Sequence, residues 1–119
     1  MKTILVTGTS SGIGNQICIQ AAAMNFSVIS VSRNIEPLKD LNGIESFKLD
    51  ITDKDSVNEF VTNLKNRKIK IDILINNAGY LVSELFGETT YDSFKKTFDV
   101  NVFGLAEITR SLIPIINKD

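Results

Sequence analysis

The sequence predicts an α/β fold, a doubly wound parallel sheet with helices on both faces that reaches about four strands within its 119 residues. Three observations predict it. Short runs rich in Val and Ile, without polar alternation, recur along the chain, as strands buried on both faces require. Segments with helical apolar spacing lie between them. A glycine-rich stretch, TGTSSGIG at 7–14, joins the first run to the first helical segment.

The elements follow in order. A strand is read over 2–7, apolar through Ile4, Leu5 and Val6. The helix behind the glycines carries Ile13, Ile17, Ala21 and Met24 at steps of 4, 4 and 3, which places them on one face. A second strand covers 27–32, a short helical piece surrounds 37–41, and a third strand covers 44–49. Val57, Phe60, Val61 and Leu64 give the next helix its apolar side, and Thr52 with Asp55 has the shape of a capping box that starts it. The fourth strand, 71–75, runs into a loop. From about Tyr91 a long helix is expected to 117, capped by Thr89 or Thr90, with Phe94, Phe98, Val102, Leu105, Leu112 and Ile116 on one stripe. Pro114 should bend or weaken its last turn. Right-handed crossovers then give the strand order 3-2-1-4, with the fourth strand at an apolar edge. There is no internal repeat, low-complexity segment or linker, so residues 1–119 form one domain.

Composition excludes several functions. Hydrophobic residues make up 43% and charged residues 23%, as in an ordinary globular protein, and the net charge of -1 argues against a nucleic-acid or membrane-surface footprint. There is no histidine, which removes His-based metal sites and Ser-His-Asp chemistry; no metal site is expected. The single cysteine, Cys18, has no disulfide partner and reads as a small buried apolar residue. No run approaches the ~20 apolar residues of a membrane span, and Lys2 leads straight into a strand rather than a signal peptide. The chain reads as cytoplasmic.

The glycine stretch has the spacing G-x-x-x-G-x-G and sits at the carboxyl end of the first strand, where doubly wound sheets bind dinucleotides. Gly8 can take a tight turn with positive φ. Gly12 lets backbone approach a pyrophosphate, and Gly14 lets the helix pack closely on the sheet. A plain flexible turn is the alternative, and the strand-turn-helix placement favours cofactor binding.

These residues carry a resemblance. Thr7 to Gly14 is similar to the TGxxxGIG cofactor loop of the short-chain dehydrogenases/reductases, Asn76-Asn77-Ala78-Gly79 to that family's NNAG, and Asn101-Val102-Phe103-Gly104 to its N-V-x-G. The three motifs stand in the family's order over the whole chain. The resemblance implies a Rossmann-like cofactor-binding half of an oxidoreductase that moves hydride between a nicotinamide cofactor and a small carbonyl or alcohol substrate. It further implies that Gly8, Thr9, Ser10, Ser11, Gly12, Ile13 and Gly14 hold the pyrophosphate, and that Asp50 accepts from the adenine amine beside Ile51. Asn77, Ala78 and Gly79 would bound the adenosine side, and Val100 would lie near the nicotinamide ribose. For Asp50 helix capping is the competing role, and for Asn76 and Asn77 turn formation. Asn101 matches a supporting catalytic Asn, credited with kinking its helix and holding a water. The family's catalytic Ser, Tyr and Lys come later in its sequence than position 119, so the chain taken alone is expected to be inactive, and the complete protein to be a homo-oligomer through the 91–117 helix.

Cofactor type is read at the end of the second strand. NAD sites place a carboxylate there for the ribose 2′-OH, whereas NADP sites place an arginine for the 2′-phosphate. Here Ser32-Arg33-Asn34 follows Val31, with no carboxylate before Glu36, so NADP is expected rather than NAD. The basic residue that some NADP members carry before the second glycine is replaced by Ser11, which leaves affinity resting on Arg33; a solvated surface arginine is the alternative. Tyr91 and Lys95 spell the family's Tyr-x-x-x-Lys signature, but they precede Asn101 on the same helix, a different element from the family's pair, and are read as a coincidence. Two other readings remain open: a stand-alone dinucleotide-binding or regulatory module, and a non-enzymatic interaction fragment.

Overall fold

The structure, a computed structural model, describes residues 1–118; Asp119, the last residue of the expected domain, lies outside them. Four parallel strands, β1 (Thr3–Thr7), β2 (Ser27–Ser32), β3 (Ile44–Lys48) and β4 (Ile73–Ile75), form one sheet in the order β3-β2-β1-β4. In the register, Leu5 of the central β1 stands opposite Ile29 and Leu74. Successive residues of β1 enter different cores. Leu5 joins Ile29, Val57, Phe60, Leu64, Ile108 and Leu112 on one face, while Ile4 and Val6 join Val28, Cys18, Ala21 and Leu38 on the other. Helices thus cover both faces, as the apolar strands require.

Helix α1 (Gly12–Ala23) buries Gly14, Cys18 and Ala21. Of the expected face, Ala21 is buried and Ile17 packs partly against the core, whereas Ile13 and Met24 are 74% and 69% exposed and Gly14 and Cys18 are buried instead. Periodicity located the helix and the middle of its apolar face, but the large Ile13 and Met24 at its two ends stay out and the small Gly14 and Cys18 go in. The Cys18 thiol is fully buried, and desolvation, partly offset by a hydrogen bond with Ser30, raises its pKa to about 11.

Helix α2 (Lys54–Asn66) buries the four expected residues Val57, Phe60, Val61 and Leu64. Its cap is Asp53, whose carboxylate accepts from the amides of Asp55 and Ser56. The Thr52 capping box does not form; Thr52 donates instead to Asp50. The piece around 37–41 shortens to a 3₁₀ turn at Glu36–Leu38.

The expected long helix is divided. Helix α3 (Tyr91–Phe98), capped by Thr90, passes into a π-helical segment at Asp99–Gly104, then into α4 (Leu105–Leu112) and a 3₁₀ turn at Ile113–Ile115 that contains Pro114. A π turn adds a residue to the helical repeat and rotates the helix beyond it. Burial accordingly falls on Gly104, Ile108, Leu112 and Ile115, whereas Phe94, Phe98 and Val102 of the expected stripe are 41%, 53% and 46% exposed. Of that stripe, Leu112 is buried and Ile116 packs partly against the core. The fourth strand is shorter than 71–75; Ile71 lies outside it in a parallel bridge opposite Ile116, its amide donating to the Ile115 carbonyl at 2.9 Å and its carbonyl accepting from the Asn117 amide at 2.8 Å.

Candidate functional site

The carboxyl ends of the strands are tied into one rim. The Thr7 hydroxyl accepts from the amides of Asn77 (3.1 Å) and Ala78 (3.0 Å), and the Asn77 side chain donates to the Gly8 carbonyl at 2.9 Å. Gly8 has φ +70°, and a Cβ there would stand 2.6 Å from the Ala78 Cα. A Cβ on Gly14 would lie 2.4 Å from both the Asn77 amide nitrogen and the Gly8 carbonyl. These two glycines thus allow the β1 turn and the β4 loop to interlock, and Gly14 serves that contact rather than a general approach to the sheet.

Gly12 differs. Its φ is +60°, and the direction a Cβ would take is open. It begins α1, whose N-cap Ser11 makes no side-chain capping bond and whose first turn holds no acidic residue. Helices α2 and α3 have Asp53 and Thr90 as caps. The first amides of α1 therefore keep their partial positive charge for an incoming anion.

A cleft of about 830 Å³ opens above this turn, within the usual size of a cofactor site. It gathers Gly8, Ser10 and Ser11 from the first turn, Ser32, Arg33 and Asn34 from the end of β2, and Asp50 and Ile51 from beyond β3. Asn77, Ala78, Gly79 and Val100 complete the expected set on its walls. Four expected residues are placed otherwise. Thr9 is 1% exposed with its hydroxyl 2.6 Å from that of Ser30, so its side chain is buried against β2 rather than turned to the cleft. Gly12 and Ile13 lie outside the lining, and Gly14 is occupied by the contact with Asn77.

Asn101, in the π segment, also stays off the cleft wall. Its amide nitrogen donates to the Tyr80 carbonyl (2.8 Å) and its oxygen accepts from the Tyr80 amide (2.7 Å), so a single side chain satisfies both backbone polar groups of Tyr80 in the β4 loop. Asn76 donates to the Thr109 hydroxyl at 3.0 Å and fastens the same loop to α4.

The cleft is charged in a definite pattern. Burial pushes the Asp50 pKa up, but hydrogen bonds from the Thr52 hydroxyl (2.7 Å) and amide (2.9 Å), with the nearby cations Arg33 and Lys96, hold it below the ordinary carboxylate range. Asp50 is thus an ionised acceptor. The Ser32 hydroxyl donates to the Asn34 carbonyl at 2.7 Å and Asn34 accepts from the Glu36 amide, a turn that presents Arg33 outward. Arg33 is exposed and has no carboxylate partner among the described residues; Glu36 instead lies 3.9 Å from Lys39.

Sequence reasoning missed Tyr80 and the polar face Asp92, Lys95, Lys96 and Asp99, all of which line the cleft. Their steps of 3, 1 and 3 are a helical face, legible had the polar residues been tracked as the apolar ones were. Tyr91 is 78% exposed and off the lining, and the Lys95 ammonium is held by Asp99 at 2.6 Å. Among the described residues no cluster of three metal-ligating side chains occurs, and no helix is long and apolar enough to cross a membrane.

The sequence model of the short chain dehydrogenase family matches residues 2–119. Among solved structures, a short-chain dehydrogenase from Streptomyces avermitilis is 37% identical with a TM-score of 0.88, over 95% of this chain and 44% of its own. A short chain dehydrogenase from Leptospira borgpetersenii with bound NAD+ is 29% identical at a TM-score of 0.89, over 95% and 45%. ElxO with NADP bound is 27% identical at 0.83, over 95% and 49%. The chain spans less than half the length of the curated relatives it matches, from 36% to 48%.

Proposed function

The chain belongs to the short-chain dehydrogenase family, and on that premise we propose that residues 1–119 are the dinucleotide-binding half of a cytoplasmic, NADP-preferring oxidoreductase acting on a small carbonyl or alcohol. When bound, the cofactor supplies or accepts the hydride. The residues of this chain bind and orient it. The open α1 terminus behind Gly12, with Gly8, Ser10, Ser11 and the backbone of Thr9, Ile13 and Gly14, would hold the pyrophosphate. Asp50, with Ile51, would receive the adenine amine, and Asn77, Ala78 and Gly79 would bound the adenosine. Val100 would flank the nicotinamide ribose. Ser32, Arg33 and Asn34 would take the 2′-phosphate, and Asn101 would hold the β4 loop in place.

The observation that carries this reading is the pairing, in one cleft, of an uncapped helix terminus with an arginine that has no acidic partner among the described residues. Both are anion sites, and they suit a ligand with two separate phosphate groups. Exposed Phe94, Phe98 and Phe103 along α3 and the π segment support assembly of the complete protein through this helix.

Alone, this chain should bind NADPH without turning substrate over. Reduction of a carbonyl needs a proton donor at the developing alkoxide, and Tyr91, with its lysine bound to Asp99, does not supply one. Fluorescence titration with NADPH and absorbance at 340 nm with a panel of ketones and aldehydes test both statements. Absence of binding would overturn the cofactor reading. Turnover that Tyr91→Phe abolishes would make Tyr91 and Lys95 a catalytic pair and overturn the predicted inactivity.

A further inference from the structure

Lys96 lies one helical turn before Val100 and lines the same cleft as Arg33 and Asp50. Its ammonium stands 4.2 Å from the centre of the Tyr80 ring, and Tyr80 is itself fixed through its backbone by Asn101. The neighbouring Lys95 is bound to Asp99, and Lys39, Arg67 and Arg110 each have a glutamate. Lys96, like Arg33 and most other lysines of the chain, forms no ion pair among the described residues; what sets these two apart is that they line the cleft.

Two cations that form no direct ion pair among the described residues therefore enter one cleft from different elements, α3 and the end of β2, beside the carboxylates Asp50, Asp92 and Asp99. An aromatic face holds an ammonium only weakly at an exposed position. The cleft lining carries three cations and three carboxylates, so each cation without a direct ion pair favours a more negative ligand only near its own position. Asp50, held low chiefly by its hydrogen bonds from Thr52, also feels both Arg33 and Lys96, so the two cations reach the same carboxylate.

We propose that Lys96 is a second specificity-determining cation, which acts with Arg33 to select a cofactor bearing a ribose 2′-phosphate. This rests on the proposed NADP(H) function. Lys96 would act across the cleft through its field, with Tyr80 limiting how far the side chain swings into solvent, and it would occupy the electrostatic role that Ser11 leaves vacant on the glycine loop.

The test uses two fragments that differ only in the phosphate, 2′,5′-ADP and 5′-AMP, titrated calorimetrically into the 119-residue chain at low salt. Lys96→Met keeps an unbranched side chain packed over Tyr80 and removes the charge. It should raise the Kd for 2′,5′-ADP about 3- to 10-fold and leave that for 5′-AMP within about twofold, as a screened charge at a distance predicts. Lys96→Arg should restore the difference, and Lys65→Met, an equal change of net charge outside the cleft, should leave both constants unchanged. Circular dichroism confirms that each variant is folded. If the unmutated chain prefers 2′,5′-ADP and Lys96→Met retains that preference, or weakens both ligands alike, the role of Lys96 is refuted while the NADP reading stands. If the unmutated chain shows no preference, the two fall together.

Discussion

Gly14 shows how a single absent methyl group shapes the site. A Cβ there would collide with Asn77 and with the Gly8 carbonyl at 2.4 Å, atoms that already hold each other. Gly14→Ala should therefore cost about 1–3 kcal/mol of stability through overpacking, read from the urea midpoint, and weaken NADPH binding as the rim opens. Cys18 makes a pH-dependent claim. Its folded pKa, raised from 9.0 to about 11, means that the native state retains a proton that the unfolded chain has released. The stabilisation is fully present below pH 9 and is lost as pH rises toward 11, with a slope of up to ~1.4 kcal/mol per pH unit. Comparison of urea unfolding for the native chain and Cys18→Ala between pH 8 and about 10.5 isolates it; parallel curves would contradict the burial of the thiol. At this scale the sequence was informative wherever a residue type had one use. Gly8 with positive φ and the buried Cys18 are such cases. The Thr9 hydroxyl was not legible, because a threonine in a loop faces cleft or core with equal ease, and Ser30 across the turn decides it.

Helix α2 and the stretch 91–115 mark the limits of reading elements from periodicity. The apolar side of α2 was legible because four large side chains fall on one face with polar residues around them. The stretch 91–115 has apolar residues on either side of the π segment that belong to two different phases, so a single stripe could not describe it. Gly104 explains why the π turn fits here. A Cβ on it would lie 2.8 Å from the Asp99 carbonyl and 3.0 Å from Ile51, which lines the cleft. Gly104→Ala should destabilise the chain by about 1–3 kcal/mol and shift Ile51, measured by thermal unfolding together with the affinity for NADPH. Asn101→Ala should leave the Tyr80 backbone to solvent and speed amide exchange at Tyr80, with a loss of about 1 kcal/mol in stability. Unchanged exchange there would contradict the clamp.

In the whole molecule, strand order and site converge: β3-β2-β1-β4 brings the loops after all four strands to one end, and the cleft opens there. That end was legible because one motif, the glycine loop, fixes which strand ends matter, whereas the α3 wall with Lys96 depends on a tertiary approach that no local pattern encodes. The other sides of the molecule are less well covered. Leu81, Phe86 and Phe103 are 88%, 83% and 62% exposed, and β4 is paired only with β1 among the described strands. The 119-residue chain should therefore self-associate in sedimentation velocity, and a monomer that unfolds cooperatively at about 45–65 °C would contradict this. The central claim, that this cleft is an NADP(H) site with Arg33 at the 2′-phosphate, is tested most directly by the dissociation constants of NADPH and NADH for the chain and for Arg33→Asp. A charge-assisted bond of roughly 1.5–3 kcal/mol predicts that NADPH binds about 10- to 150-fold tighter than NADH, and that Arg33→Asp reverses the order. Equal affinities, or a preference for NADH in the unmutated chain, would contradict it.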